Sequence, residues 1–289
     1  MRMRDAEPFG EPGYFFEGPR WHDGRWWTSD MHGNVVRSWT PEGEGRDELR
    51  IEDRPSGLGW MPDGSLLVVS MEKRLLLRLQ PGAVAPDVHA DLNPITADVP
   101  GFINDIRVDR EGRAYIGFDP DIKLCGFPSD KGRLLCVEPD GSARIVARDL
   151  QFPNAIMFSG QRLILADTAA ACLYAYDIAP GGDLGPRSDW ANLSAKRTDK
   201  VKYLFDGCDI DSAGHVWAAD CSAGAWRIAP GGEVVDGVAL PPDYTAYACG
   251  LGGEDGRTLL ICAANRDHHD ERVKAPKAKL FTARVDVPA

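Results

Sequence analysis

Pro62-Asp63-Gly64-Ser65-Leu66-Leu67-Val68-Val69-Ser70 is a turn closed by glycine and followed at once by a β-prone run, and the unit recurs along the chain. It returns as His22-Asp23-Gly24 with Arg25-Trp26-Trp27-Thr28-Ser29-Asp30 and as Arg110-Glu111-Gly112 with Arg113-Ala114-Tyr115-Ile116-Gly117. Later copies are Phe158-Ser159-Gly160 with Gln161-Arg162-Leu163-Ile164-Leu165-Ala166-Asp167, Ser212-Ala213-Gly214 with His215-Val216-Trp217-Ala218-Ala219-Asp220, and Glu254-Asp255-Gly256 with Arg257-Thr258-Leu259-Leu260-Ile261-Cys262. Glycine, often beside Asp, supplies the tight turn. The six glycines are 40, 48, 48, 54 and 42 residues apart, and a four-stranded propeller blade takes about 40 to 50.

Second hairpins lie between the glycines, at Leu75–Leu79 before Pro81-Gly82, Leu134–Val137 before Pro139-Asp140-Gly141, and Ala225–Ile228 before Pro230-Gly231-Gly232. No segment carries a sustained 3.6-residue apolar period, which argues against alternating helices and a parallel sheet. The expectation is an all-β, six-bladed β-propeller filling residues 1–289 as a single domain. Phe9 to Phe16 should join the strand around Leu280 to Val285 in one blade, because a ring left open exposes an edge.

The charge balance, 33 Lys plus Arg against 44 Asp plus Glu for a net −11, disfavours nucleic acid or an anionic membrane as partner and leaves cations open. No run approaches the roughly 20 apolar residues of a membrane span, and no apolar stretch follows the basic residues at the start. Seven scattered cysteines without a Cys-x-x-Cys spacing argue against a disulfide framework. A soluble, cytoplasmic chain is expected.

Counting back from the turn glycines reveals a second pattern. Glu17, Asn104, Asn154 and Asp206 stand 7, 8, 6 and 8 residues ahead of their glycines, so four oxygen-bearing side chains share one phase of the repeat. If the strand leading into each turn is innermost, all four approach the axis at one face. Two carboxylates and two amides suit a hard cation such as Ca²⁺, Mg²⁺ or Mn²⁺. Taken singly, each also reads as a turn former beside glycine. The remaining blades offer Ser56 or Gly57, and Ala248 or Cys249, at this phase.

Phe16-Glu17-Gly18-Pro19-Arg20-Trp21, Gly101-Phe102-Ile103-Asn104-Asp105, Phe152-Pro153-Asn154-Ala155 and Phe205-Asp206-Gly207-Cys208-Asp209 resemble, in order and spacing, the family of gluconolactonase, regucalcin (senescence marker protein) and luciferin-regenerating enzyme. The resemblance runs from about residue 14 to 285. It implies a six-bladed propeller whose axial divalent cation is held by Glu17, Asn154 and Asp206, with Asn104 beside the ion as a further ligand or substrate contact. Ca²⁺ is the first expectation, with Mg²⁺, Mn²⁺, Zn²⁺ or Fe²⁺ as alternatives. Two positions depart from the family: Ala155 stands where Gly is usual after the second motif, and Phe102 stands where sugar-lactone members carry Arg.

The reading that follows is a metal-dependent lactonase acting on a small cyclic ester less polar than a sugar lactone. A divalent ion polarises a carbonyl and acidifies water. Asp206 is the candidate base, with Asn104 as a donor to the developing oxyanion. Asp119 and Asp121, placed on the loop after the third blade's second strand, are substitute bases or substrate contacts, with a solvated loop charge as the plain alternative. Phe102 is the expected apolar substrate contact, unless it turns into the blade core and Lys123 reaches the substrate. Two other functions remain open, a phosphotriesterase-like hydrolase and a non-catalytic calcium- or protein-binding propeller.

Weaker signals carry less. Asp209-x-Asp211 with Gly214 and Asp220 lacks an EF-hand context, and no Gly-x-Ser-x-Gly or His-Glu-x-x-His is present. His268-His269-Asp270, in the polar stretch from Asn265 to Lys279, reads as a surface loop rather than a ligand pair. Trp26, Trp27, Tyr115, Tyr174, Trp217 and Trp226 read as packing between blades.

Overall fold

A computed structural model describes residues 2–265 and 273–289, so His268, His269 and Asp270 lie outside the described residues. The repeat predicts the architecture correctly: six antiparallel sheets of four strands form a β-propeller. Blade 1 holds Phe16–His22, Arg25–Asp30, Val35–Trp39 and Gly45–Arg50, and blade 2 holds Pro55–Trp60, Leu66–Ser70, Leu75–Leu79 and Asp87–Asp91. Blade 3 follows with Gly101–Val108, Ala114–Pro120, Gly132–Val137 and Ala143–Leu150, and blade 4 with Pro153–Ser159, Arg162–Asp167, Cys172–Asp177 and Ser188–Asn192. Blade 5 comprises Phe205–Ile210, Val216–Asp220, Ala225–Ile228 and Val234–Ala239. Blade 6 takes Tyr244–Gly252, Thr258–Asn265 and Ala278–Arg284 from the C-terminal part, and Glu7–Gly13 from the N-terminal part as its outermost strand. Ring closure therefore occurs as the sequence implies. The first strand, Arg2–Asp5, was not foreseen; it adds in parallel to the outer edge of blade 5, opposite Asp236–Ala239. Among the described residues no helix is long and apolar enough to cross a membrane.

All six turn glycines of the repeat, at 24, 64, 112, 160, 214 and 256, have positive φ, the conformation that glycine adopts without a Cβ penalty. Among the described residues the buried apolar side chains fall into six clusters, each lying in the seam between two adjacent blades. Trp26, Tyr115 and Trp217 are fully buried in three of these seams. Asp211, one of the EF-hand-like residues, accepts from the backbone N–H of Ala213 and His215 and pairs with Arg227 at 2.7 Å, so it secures a turn.

The first strand of each blade lines the axis, where two glycines permit close approach. A Cβ on Gly57 would stand 2.5 Å from Ile106 N, and one on Gly207 would stand 2.4 Å from Ala248 Cβ. Across this narrow axis runs a buried ionic floor. Arg20 of blade 1 donates to Leu58 O of blade 2 at 3.1 Å and, in blade 3, to Asp105 Oδ1 at 2.7 Å and Ile106 O at 2.8 Å. Arg107 of blade 3 donates to Ile156 O of blade 4 at 3.1 Å and to Asp209 Oδ1 of blade 5 at 2.8 Å. Asp209 Oδ2 in turn accepts from Leu251 N of blade 6 at 3.0 Å. Two arginines and two aspartates thus connect all six inner strands.

Removing one partner of a buried pair leaves an uncompensated charge, at a cost of about 3–5 kcal/mol. Arg20→Leu is expected to lose stability on that scale in urea unfolding. Arg284→Ala, which removes an exposed pair with Asp255, should leave the midpoint essentially unchanged. Equal midpoints for both variants would show that the floor does not hold the ring.

Candidate active site

Every inner strand breaks its pairing at nearly the same place. In blades 2 to 5, Ser56-Gly57, Asn104-Asp105, Asn154-Ala155 and Asp206-Gly207 fall within register shifts. Blade 1 shifts one step later, between Glu17 and Arg20, with Glu17 still paired to Ser29, and blade 6 shifts between Ala246 and Ala248. A bulge of this kind releases residues from the ladder and re-aims their side chains. The shared phase of Glu17, Asn104, Asn154 and Asp206 is therefore a structural position. Register corrects the sixth blade: the residue at this phase is Tyr247, not Ala248 or Cys249, which are buried in the seams. In blade 2 it is Ser56.

The structure links these side chains. Asn154 Nδ2 donates to Asp206 Oδ1. Ser56 Oγ donates to Asn104 Oδ1 at 2.8 Å. Glu17, Asn104 and Asn154 are buried, whereas Asp206 is partly open. Burial raises the Glu17 pKa well above the usual carboxylate range, and the charges of Asp206 and Asp105 push it further. Burial likewise raises Asp206 to about 7, with Asp105 adding repulsion, against lowering hydrogen bonds from Cys221 and Asn154. Among the described residues neither Glu17 nor Asp206 forms an ion pair, because Arg20 is committed to Asp105.

This donor set fits a hard cation: a buried and a partly open carboxylate repel one another, no cation among the described residues pairs with them, and two amides stand beside them. Among the described residues no three His, Cys, Asp or Glu side chains converge as a metal cluster, so the amides Asn104 and Asn154 would have to complete the coordination.

Sequence reasoning missed Cys221, whose Sγ donates to Asp206 Oδ2 at 3.2 Å. It follows Asp220, the last residue of a repeat strand, and comparison with Thr168 after Asp167, whose hydroxyl donates to Phe205 O, could have placed it at the axis. Asp119 was expected on a solvated loop. It lies instead inside the strand Ala114–Pro120 and is 1% exposed, because it pairs in register with Phe102 beneath the following segment. Burial raises its pKa well above the carboxylate range, and Asn104 is its hydrogen-bonding neighbour. Asp121 caps the short helix Ile122–Cys125 by accepting from Lys123 N at 2.8 Å, and Lys123 is exposed there. Phe102 is half-buried and stands outside the apolar seams, whereas its neighbour Ile103 is fully buried in one.

Because the folded Asp206 holds its proton up to about pH 7, whereas an unfolded Asp releases it near pH 4, this group makes stability fall between those values as pH rises. In chelator, Asp206→Asn should therefore unfold at a higher temperature than the parent above about pH 7, with the gap closing toward about pH 4. Thermal unfolding across this range checks it, and parallel curves would contradict the assigned burial.

Comparison with known proteins bears on the family and the fold. Residues 15–265 match the SMP-30/Gluconolactonase/LRE-like region. A 6-deoxy-6-sulfogluconolactonase of Pseudomonas putida is 31% identical over 229 residues, 74% of either chain. The pentonolactonase XacC of Haloferax volcanii is 28% identical over 294 aligned positions, covering 94% of this chain and 91% of its own. Among solved structures, a calcium-binding regucalcin of Agrobacterium tumefaciens superposes with a TM-score of 0.81 at 18% identity, covering 100% of this chain and 97% of that one. With its bulged inner strands aligned on one axial set of side chains, the chain belongs to the SMP-30/gluconolactonase/LRE-like family.

Proposed function

We propose that this protein hydrolyses a lactone at the axial site and that a divalent cation, Ca²⁺ first among the candidates, is required. One observation carries the reading: Glu17, buried, and Asp206, partly open, are two axial carboxylates with no cation to pair with them among the described residues. The names of the relatives point the same way, since the two sequence relatives are lactonases and the structural neighbour is described as calcium-binding.

Glu17, Asn154 and Asp206 would hold the ion, with Asn104 beside it. A bound dication supplies Lewis-acid polarisation of the ester carbonyl and lowers the pKa of a water. Asp206 then accepts the proton of the attacking water, a role suited to its partly open position. Asn104 has two amide N–H donors, one of which can reach the carbonyl oxygen as negative charge develops there. The ionic floor closes the axis beneath, so the ester enters from the face that Glu17 and Asp206 share. Asp119 is too enclosed to meet a substrate, and Asp121 is engaged as a helix cap, which leaves Asp206 as the base.

The substrate is less polar than a sugar lactone. Phe102 offers no hydrogen bond to a ring hydroxyl, and Ile122, Leu124 and Phe127 are exposed on the segment that follows the strand paired with it. An aromatic or alkyl lactone gains about 25 cal/mol for each Å² buried against such a surface.

Two measurements test this reading. Metal-stripped protein, with Ca²⁺, Mg²⁺, Mn²⁺, Zn²⁺ and Fe²⁺ restored singly, should regain turnover, and Asp206→Ala should lose about 10²–10⁴ in rate. Unchanged turnover in chelator would reject metal dependence, and activity only on an organophosphate included in the panel would favour phosphotriester hydrolysis. kcat/KM should favour dihydrocoumarin over gluconolactone, and Phe102→Ala should narrow the preference. A preference for gluconolactone unchanged in that variant would remove Phe102 from substrate choice.

A further inference from the structure

Blades 1, 4 and 5 end the second strand in an Asp whose carboxylate is saturated by nearby N–H groups. Asp30 accepts from the backbone of Tyr14, Phe15 and Gly33. Asp167 accepts from Gln151, Phe152 and Ala170, and Asp220 from Leu204, Ser222 and the Trp226 indole. Register sets each opposite the residue just before the axial one, as Phe16 with Asp30, Pro153 with Asp167 and Phe205 with Asp220. These carboxylates fasten the approach to the inner strand.

Blade 3 departs from the pattern. Phe118 occupies the equivalent place, opposite Ile103, and the Asp stands one residue later, at 119. One step along a strand reverses the face to which a side chain points. Asp119 therefore meets none of the N–H groups that saturate its counterparts. It is 1% exposed, and neither carboxylate oxygen completes a hydrogen bond of good geometry among the described residues. A carboxylate enclosed in this way destabilises the fold unless something beyond the fold uses it.

Its polar neighbour is Asn104. Because Asn104 Oδ1 accepts from Ser56 Oγ at 2.8 Å, the amide nitrogen is turned away from Ser56. We propose that Asp119 is a positioning residue of the axial site: it steadies the amide nitrogen of Asn104 so that the carbonyl oxygen is presented to a divalent cation. The inference rests on the axial cation reading above. It assigns Asp119 to the metal rather than to substrate or proton transfer.

The test is cation binding by calorimetry, with Ca²⁺ and Mn²⁺ as probes, on the parent, Asp119→Asn, Asp119→Leu and Glu17→Gln, together with unfolding temperatures in chelator. Outer-shell partners of metal ligands typically tune affinity by about 10–100-fold. Asp119→Asn is expected to lose affinity on that scale and Asp119→Leu at least as much. In chelator both should be as stable as the parent or more so, since each removes a buried carboxyl group whose oxygens lack hydrogen-bond partners. Unchanged affinity in both Asp119 variants, with binding lost in Glu17→Gln, would overturn the positioning role and leave the axial site standing. Parent-like binding in all three variants would overturn both. A marked fall in chelator stability, with affinity intact in the protein that remains folded, would give Asp119 the structural duty of Asp30 and also overturn the proposal.

Discussion

Arg20–Asp105, buried, and Arg107–Asp209, partly buried, are ion pairs at the point where six strands converge, and the face that carries the axial side chains depends on them. The inner strands contribute apolar side chains to the seams, as Ile106, Met157 and Phe205 do, but the floor between them is polar. At the axis, backbone carbonyls and amides of Leu58, Ile106, Ile156 and Leu251 need partners, and two guanidinium groups and one carboxylate supply them. Arg suits this task because its planar fork serves several acceptors at once. The floor also engages the guanidinium groups of Arg20 and Arg107, so Glu17 and Asp206, three residues earlier on the strands of Arg20 and Asp209, stand above it with no counter-ion among the described residues.

That arrangement separates two uses of charge along a single set of strands. Below the bulges, carboxylates are paired and hold the ring. At the bulges, burial raises the pKa values of Glu17 and Asp206, and the charges of Asp206 and Asp105 push Glu17 further.

Much of the fold was legible because the repeat needs glycine where φ is positive, and those six turns punctuate the chain at blade length. Ring closure was legible for a similar reason, as an all-β ring must cover its last edge. The strand Arg2–Asp5 was not, because its residues are mostly exposed and its anchoring comes from Arg4 pairing with Asp236 and Asp286, far away in sequence. Of the site, the four phased residues could be found by counting, but a fixed count fails where hairpins differ in length, and in blade 6 it overshot Tyr247. Asp119 belongs to a second strand and Cys221 directly follows one, and their phase relative to the axis is set by register and not by distance from a turn. The floor was hidden because Arg20, Asp105, Arg107 and Asp209 read as ordinary charged strand residues until their blades are brought together.

The most direct measurement of the central claim is anomalous scattering from a crystal of the protein soaked with Mn²⁺. The account predicts one strong peak on the propeller axis, bounded by oxygen atoms of Glu17, Asn154 and Asp206, above Arg20 and with a coordination position open to solvent. A peak elsewhere, or no axial peak at saturating metal, would contradict it.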